Sequence, residues 1–241
     1  MPTPPPPHLP ATAAHVRRHH TPHNAADGDD GDGSVPVGEG HVVRRVVPSD
    51  NNCLFHALGS CLGDKAATPE WMRGVVCDAI LRYPQTYTEA VLGMPVAEYC
   101  EWIGKSTSWG GGIELAIFSS ELRLEICSID IQTGRADRFG EGKHARRVIL
   151  FYSGVHYDYA AFTYDRASPQ DFDLTVFDTD ESGDEKLAAA CELADKMRQK
   201  HEFTDTANFA LRCNDCSMLL RGEKEAQQHL LDTLHVNYSE V

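Results

Sequence analysis

Val42-Val43-Arg44-Arg45-Val46-Val47-Pro48-Ser49-Asp50-Asn51-Asn52-Cys53-Leu54-Phe55-His56-Ala57-Leu58 changes its structural character twice within seventeen residues. The run 42–47 is rich in β-branched side chains, which suit a pleated strand. Residues 48–52 form a dense cluster of turn formers. From Cys53 the apolar period becomes helical, through Cys53, Leu54, Ala57, Leu58 and Cys61, and Gly63 closes the element. The chain therefore reads as strand, polar loop, then a helix that opens on a cysteine. That order has chemical meaning. A thiol attacks a carbonyl as its thiolate, and the partial positive charge at a helix start favours the ionised form. The unpaired amides there, with those of the 49–52 loop, also suit the developing charge on an attacked carbonyl oxygen.

Such a nucleophile needs a base, and the base needs an acceptor to orient it. His156 lies in a short loop, Ser153-Gly154-Val155-His156-Tyr157-Asp158, between predicted strands at 147–152 and 159–164. Asp158 follows at the spacing that shares a face of an extended segment. His56 is the other candidate base, but it lies along the same helix as Cys53 and is badly directed for proton transfer.

Working outward, Thr68 and Pro69 mark a helix start, with Met72, Val75, Val76, Ala79 and Ile80 as its apolar stripe and Pro84 beyond its end. Residues 95–103 read as a third helix. A glycine-rich loop holding Trp109 follows, then helix at 113–120 and a strand at 122–131, with Leu122, Leu124 and Ile126 on one face. Residues 166–203 read as an acidic linker ending in an amphipathic helix from Lys186. Residues 1–40 hold eight of the thirteen prolines and no Ile, Phe, Tyr or Trp, so they read as a disordered tail, with order beginning near His41.

The 241 residues suit one compact domain with a small appendage, and no apolar run is long enough to span a bilayer. A net charge of −14 is the wrong sign for a phosphate backbone, so no nucleic-acid partner is expected. No secretory leader is read in the first thirty residues, and the expected location is cytoplasmic. Six of the eight cysteines (Cys53, Cys61, Cys77, Cys100, Cys127, Cys191) are scattered, and two (Cys213, Cys216) form a pair. In a reducing compartment that usage points to catalysis and metal binding, not to disulfides.

The pair belongs to a longer pattern. Cys213-x2-Cys216-x12-His229-x5-His235 has the ligand types and spacing of a two-cysteine, two-histidine zinc site. Residues 208–212 and 217–221 read as a hairpin carrying the cysteines, and residues 222–235 as a helix presenting the histidines. Phe209, Leu219 and Leu230 are its expected core, and so small a ββα module needs Zn2+ to fold. Across residues 204–241 six acidic side chains face three basic ones, which disfavours DNA.

Three segments carry a family resemblance. Asp50-Asn51-Asn52-Cys53-Leu54-Phe55 resembles the cysteine loop of OTU (ovarian tumour) deubiquitinases. Trp109-Gly110-Gly111-Gly112-Ile113-Glu114-Leu115 resembles the family's Trp-Gly-Gly element, and Phe151 to Asp158 its histidine loop. All three stand in the family's order within residues 42–165. The resemblance implies an α+β, papain-like core over residues 41–165, a mixed sheet between helical layers, with the finger at 204–241. It implies Cys53 as nucleophile, His156 as base, Asp158 as its orienter and Asp50 as the residue fixing the cysteine loop. Asn51, Asn52, Trp109, Gly110, Gly111, Gly112, Glu114 and Val155 would line the channel for the extended tail of ubiquitin, free or in chains. Asn52 departs from the serine common in relatives. The OTU domain combined with a C-terminal finger resembles the ubiquitin thioesterase subgroup that works with an AAA+ segregase, valosin-containing protein, in endoplasmic-reticulum-associated degradation. Those relatives carry a UBX-type domain ahead of the OTU domain, where this sequence has its proline-rich segment. Two rival readings remain: a catalytically weak ubiquitin-binding adaptor, and a nucleic-acid-binding finger protein.

Overall fold

The computed structural model describes residues 33–63, 67–205 and 210–221, and beyond them residues 225, 228, 229, 232, 233, 235 and 238–240. Two compact units divide at Phe203.

The first unit is built on a mixed sheet. Ser34–Val37 (β1) pairs antiparallel with Gly40–Arg45 (β2). The next elements are all helical: Cys53–Leu62 (α1), Pro69–Arg82 (α2), Glu89–Leu92 (α3), Val96–Ile103 (α4) and Gly112–Leu122 (α5). Then come Glu125–Asp130 (β3), Ala136–Phe139 (β4), Arg146–Tyr152 (β5), Tyr157–Thr163 (β6), Phe177–Asp178 (β7) and Glu181–Gln199 (α6). The strand order is β1-β2-β6-β5-β3-β4, with β7 beside the start of β5. Among the described residues only β3 and β5 run parallel.

Alternation along the strands divides the apolar residues between two cores. Val43, Ile126, Val148, Leu150, Tyr159 and Ala161 face one side, under α1, α2, α4 and α5. Val42, Cys127, Ile129, Ile149, Phe151, Ala160 and Phe162 face the other, under Ala189, Ala190, Leu193, Ala194 and Met197 of α6. A sheet covered on both faces explains why β3, β5 and β6 are buried almost throughout.

Two boundaries differ from the sequence reading. Order does not wait for His41: β1 lies inside the segment read as a tail, and Val35 is buried in the second core. A proline-rich composition hid it, since Pro36 is tolerable on an edge strand. The rest of the tail, residues 1–32, lies outside the described residues. Residues 166–203 are likewise not a linker. β7 joins the sheet, and α6 starts at Glu181, its cap Asp180 accepting from the Gly183 amide at 3.0 Å. Its buried stripe forms the second helical layer.

In the second unit, Ala210–Cys213 (β8) pairs with Leu219–Arg221 (β9) and, on its other edge, with Tyr238–Glu240 (β10). The third strand was not expected. Glu225, Gln228, His229, Asp232 and Thr233 are helical and His235, expected to end the helix, is not, while the other residues of the expected 222–235 helix, with Phe209 and Leu230, lie outside the described residues. Leu219 is exposed, contrary to its expected place in the core; its neighbour Leu220 is buried.

Candidate active site and metal centre

α1 begins at Cys53, whose side chain is buried but for 8% of its surface. The loop before it is held from within. Asp50 Oδ1 accepts from the Asn52 amide at 2.7 Å, and Asp50 Oδ2 meets His56 Nε2 at 3.2 Å. Burial works against ionisation of Asp50, but the Asn52 amide and His56 overcome it and hold its carboxyl below the usual range. His56 is therefore engaged with Asp50.

His156 comes to the thiol from the β5–β6 connection. Gly154 has φ +96°, which favours glycine, and its carbonyl accepts from the Tyr152 hydroxyl at 2.5 Å. His156 Nε2 lies 3.0 Å from Asp158 Oδ1. An ionised carboxylate only accepts, so Nε2 carries the hydrogen and Nδ1 is left for the Cys53 thiol. Burial opposes the imidazolium, but hydrogen bonds to Asp158 and Cys53, with their negative charge, push the His156 pKa up to about 9. Asp158 is anchored in turn: the same Oδ1 accepts from the Val47 amide at 3.0 Å, and Arg44 lies 4.0 Å from Oδ2. The loop ahead of Cys53 thus starts from the carboxylate that orients the histidine.

The 104–112 loop also meets the cysteine loop. Trp109 Nε1 donates to Asn51 Oδ1 at 2.6 Å, bridging it to the cysteine loop. Gly110 packs directly on α1: a Cβ there would stand 2.6 Å from Leu54 Cδ2. Glu114, also read as lining the channel, is turned into the protein. It is 2% exposed, accepts from the Tyr99 hydroxyl at 2.5 Å and from the Gly111 amide at 2.7 Å, and burial raises its pKa. Its carboxylate faces inward and braces the loop, so it is corrected from a substrate contact to a support. Val155 remains partly exposed beside His156.

Arg73 escaped the sequence reading. It sits on α2 between two stripe positions, is 3% exposed, and donates to carbonyls of the cysteine and tryptophan loops. A charged residue beside the otherwise apolar Met72 and Val76 was the available signal.

In the second unit Cys213, Cys216, His229 and His235 present donor atoms that all lie within 4.8 Å of one another. Cys213 Sγ is 3.4 Å from His235 Nδ1, and Cys216 Sγ is 3.4 Å from His229 Nε2. Tetrahedral zinc with ordinary bond lengths separates sulfur and nitrogen ligands by about 3.5 Å. Two thiols and two imidazoles at this spacing fit the ion.

Comparisons with known proteins cover both units. Residues 207–241 match the family model described as "Ubiquitin thioesterase OTU1, C-terminal C2H2-type zinc finger". Ubiquitin thioesterase OTU1 of Gallus gallus is 43% identical over 216 residues, covering 86% of this chain and 68% of that protein. The "OVARIAN TUMOR DOMAIN-containing deubiquitinating enzyme 2" of Arabidopsis thaliana is 42% identical over 206 residues, covering 84% of this chain and 99% of that one. A solved OTU domain in complex with ubiquitin superposes with a TM-score of 0.64 at 28% identity, over 72% of this chain and 98% of that one. A thiol at a helix start, an imidazole held by a carboxylate and a mixed sheet between helices define a cysteine hydrolase of the OTU class. Within that class, the chain belongs to the OTU1 ubiquitin thioesterase family.

Proposed function

We propose that this protein is a cysteine deubiquitinase that hydrolyses isopeptide or thioester bonds after the C-terminal glycine of ubiquitin. The carrying observation is the placement of His156 between the Cys53 thiol and the Asp158 carboxylate. The proton resides on the imidazole and the thiolate attacks the glycine carbonyl carbon. A C–S bond forms as the carbonyl π pair moves to oxygen, beside the amides at the start of α1. Collapse expels the lysine amine, which takes the proton from His156. In the second half, His156 removes a proton from water, the resulting hydroxide attacks the thioester, and the Cys53 thiolate leaves. Asn51, Asn52, Trp109, Gly110, Gly111, Gly112 and Val155 line the approach of the substrate tail. A Gly-Gly tail has no side chains to grip, so a narrow, backbone-lined channel suits it.

Cys213, Cys216, His229 and His235 would hold Zn2+, which supplies cross-linking of a small module and no catalytic step. Elemental analysis should find one zinc per chain, lost in Cys216→Ser. A cytosolic location and a segregase partner are part of this proposal. All eight cysteines are free of disulfides, in keeping with a reducing compartment. Co-purification with the segregase tests the partnership.

Purified Cys53→Ala and His156→Ala proteins should each lose cleavage of di-ubiquitin while keeping the wild-type fold. Turnover by Cys53→Ala protein would overturn the assignment. An electrophilic ubiquitin C-terminal probe that binds without labelling Cys53 would select the adaptor reading.

A further inference from the structure

We propose that Arg73 is a positioning residue for this reaction, tying the cysteine loop to the tryptophan loop and so setting the peptide orientation beside Cys53. The inference rests on the deubiquitinase reading and extends it to a residue away from the reacting atoms.

The guanidinium spans two loops far apart in sequence. One terminal nitrogen donates to the Ile103 carbonyl at 2.6 Å, at the end of α4. The other donates to Asn52 Oδ1 at 2.8 Å, to the Ser108 carbonyl at 2.8 Å and, more weakly, to the Asn51 carbonyl at 3.3 Å. The plane also stacks over Phe55 of α1, 4.1 Å from the ring centroid. Cysteine loop, helix start, tryptophan loop and α4 therefore all converge on one planar cation.

The energetics show that this cation is not there to fill space. Arg73 is buried, forms no salt bridge among the described residues, and leaves its Nε hydrogen without a partner. A buried cation in direct contact with carbonyl dipoles and an aromatic face, with Glu114, Glu70 and Asp50 acting on it only from beyond ion-pair distance, is a costly choice for a helix stripe that methionine or leucine would fill. What it provides is geometry. A planar trans peptide points its carbonyl and its N–H in opposite directions. With the Asn51 carbonyl turned to Arg73, the Asn52 N–H is turned to Asp50, which accepts it at 2.7 Å. Arg73 and Asp50 thus clamp the same peptide from its two ends. The next amide, that of Cys53, is only loosely engaged, 3.4 Å from the Asp50 carbonyl, and is thereby held ready for a developing oxyanion. The grip on Ser108 fixes the chain entering Trp109, whose indole returns to Asn51.

The test separates positioning from thiol reactivity and from folding. Arg73→Met, which keeps the volume but removes every donor, is assayed with a ubiquitin C-terminal fluorogenic amide, with iodoacetamide alkylation of Cys53, and by thermal unfolding. Alkylation at a saturated carbon needs the thiolate but neither oxyanion site nor channel. The expected result is a kcat lowered by ~10²-fold, the scale of a misplacement remote from the chemistry, with the alkylation rate unchanged and the chain folded. A folded Arg73→Met protein with wild-type kcat overturns the proposal, as does an alkylation rate that falls in parallel with kcat. Arg73→Lys serves if the methionine variant fails to fold: its single nitrogen cannot replace both terminal nitrogens, so kcat should again fall with alkylation unchanged, and wild-type kcat in that protein refutes the idea. Wild-type protein that fails to hydrolyse the amide removes the deubiquitinase reading itself, and this proposal with it.

Discussion

Asp158 is where the catalytic chemistry and the fold share an atom. Its Oδ1 accepts from both His156 Nε2 and the Val47 amide, so the carboxylate that favours the imidazolium also pins the chain leaving β2. The sign of the pH effect follows. Although burial alone would lower it, the His156 pKa is raised from 6.5 to about 9, so the folded state holds its proton more tightly than the unfolded state. The associated stability is fully present below pH 6.5 and is lost as pH rises through about 9. The activity that needs imidazolium should fall over the same upper range. Asp158→Asn keeps the shape but removes the charge, so the alkaline limb of kcat/KM should move to lower pH and kcat should fall by ~10²-fold. A pH–rate profile with an unmoved alkaline limb would show that another group sets it.

Elements explain both what the sequence disclosed and what it withheld. α1 and α2 were legible because their signals are local: a turn cluster before Cys53, and at α2 a Thr68 side chain that accepts from the Trp71 amide at 3.3 Å, with Pro69 in the first turn. Cys53, His156 and Asp158 were legible through their motifs, and the fold supplies their convergence. Elements held by tertiary contacts alone were not legible. β4 is Ala-Asp-Arg-Phe, half-buried throughout, and stays on the sheet edge with Arg138 donating to buried Glu125 at 2.9 Å. β7 is two residues long and is defined only by its partner. Glu114 and Arg73 were misread or missed because one charged side chain beside an apolar stripe is only a weak sign in sequence that it points inward. Close packing between elements was only half legible: the run Gly110-Gly111-Gly112 advertised flexibility, yet Gly110 serves contact, since a Cβ would meet Leu54 at 2.6 Å and the Phe55 ring at 3.1 Å. Gly110→Ala should push the tryptophan loop off α1 and lower kcat/KM on a ubiquitin substrate by ~10²-fold, with a small loss of thermal stability. Wild-type kinetics in that variant would show that the loop accommodates the methyl group.

At the scale of the whole first unit, Cys53 belongs to the α1 side of the sheet and His156 to the β5–β6 loop, while Asp158 lies on β6 in phase with Ala160 and Phe162, which face α6. Val42, Ile149, Phe151 and Phe162 point away from α1 and toward α6, where Leu193 is 1% and Met197 4% exposed. β5 and β6 supply both this second core and the histidine loop between them. An ion-pair network ties the layers further: buried Arg147 of β5 donates to Glu125 of β3 at 2.7 Å and to Asp184 of α6 at 2.7 Å. α6 is therefore a condition for a rigid β5–β6 hairpin, and through it for the position of His156. Leu193→Ala leaves a cavity at the centre of that layer and should cost about 2–5 kcal/mol in denaturant unfolding. Because no catalytic group is touched, kcat should stay near wild type wherever the variant is folded, and fall only as the folded fraction falls. A chain cut before Glu181 removes the layer altogether and should fail to unfold cooperatively. Residues up to 180 that nevertheless give a sharp transition and cleave ubiquitin would return the segment to the role of a linker.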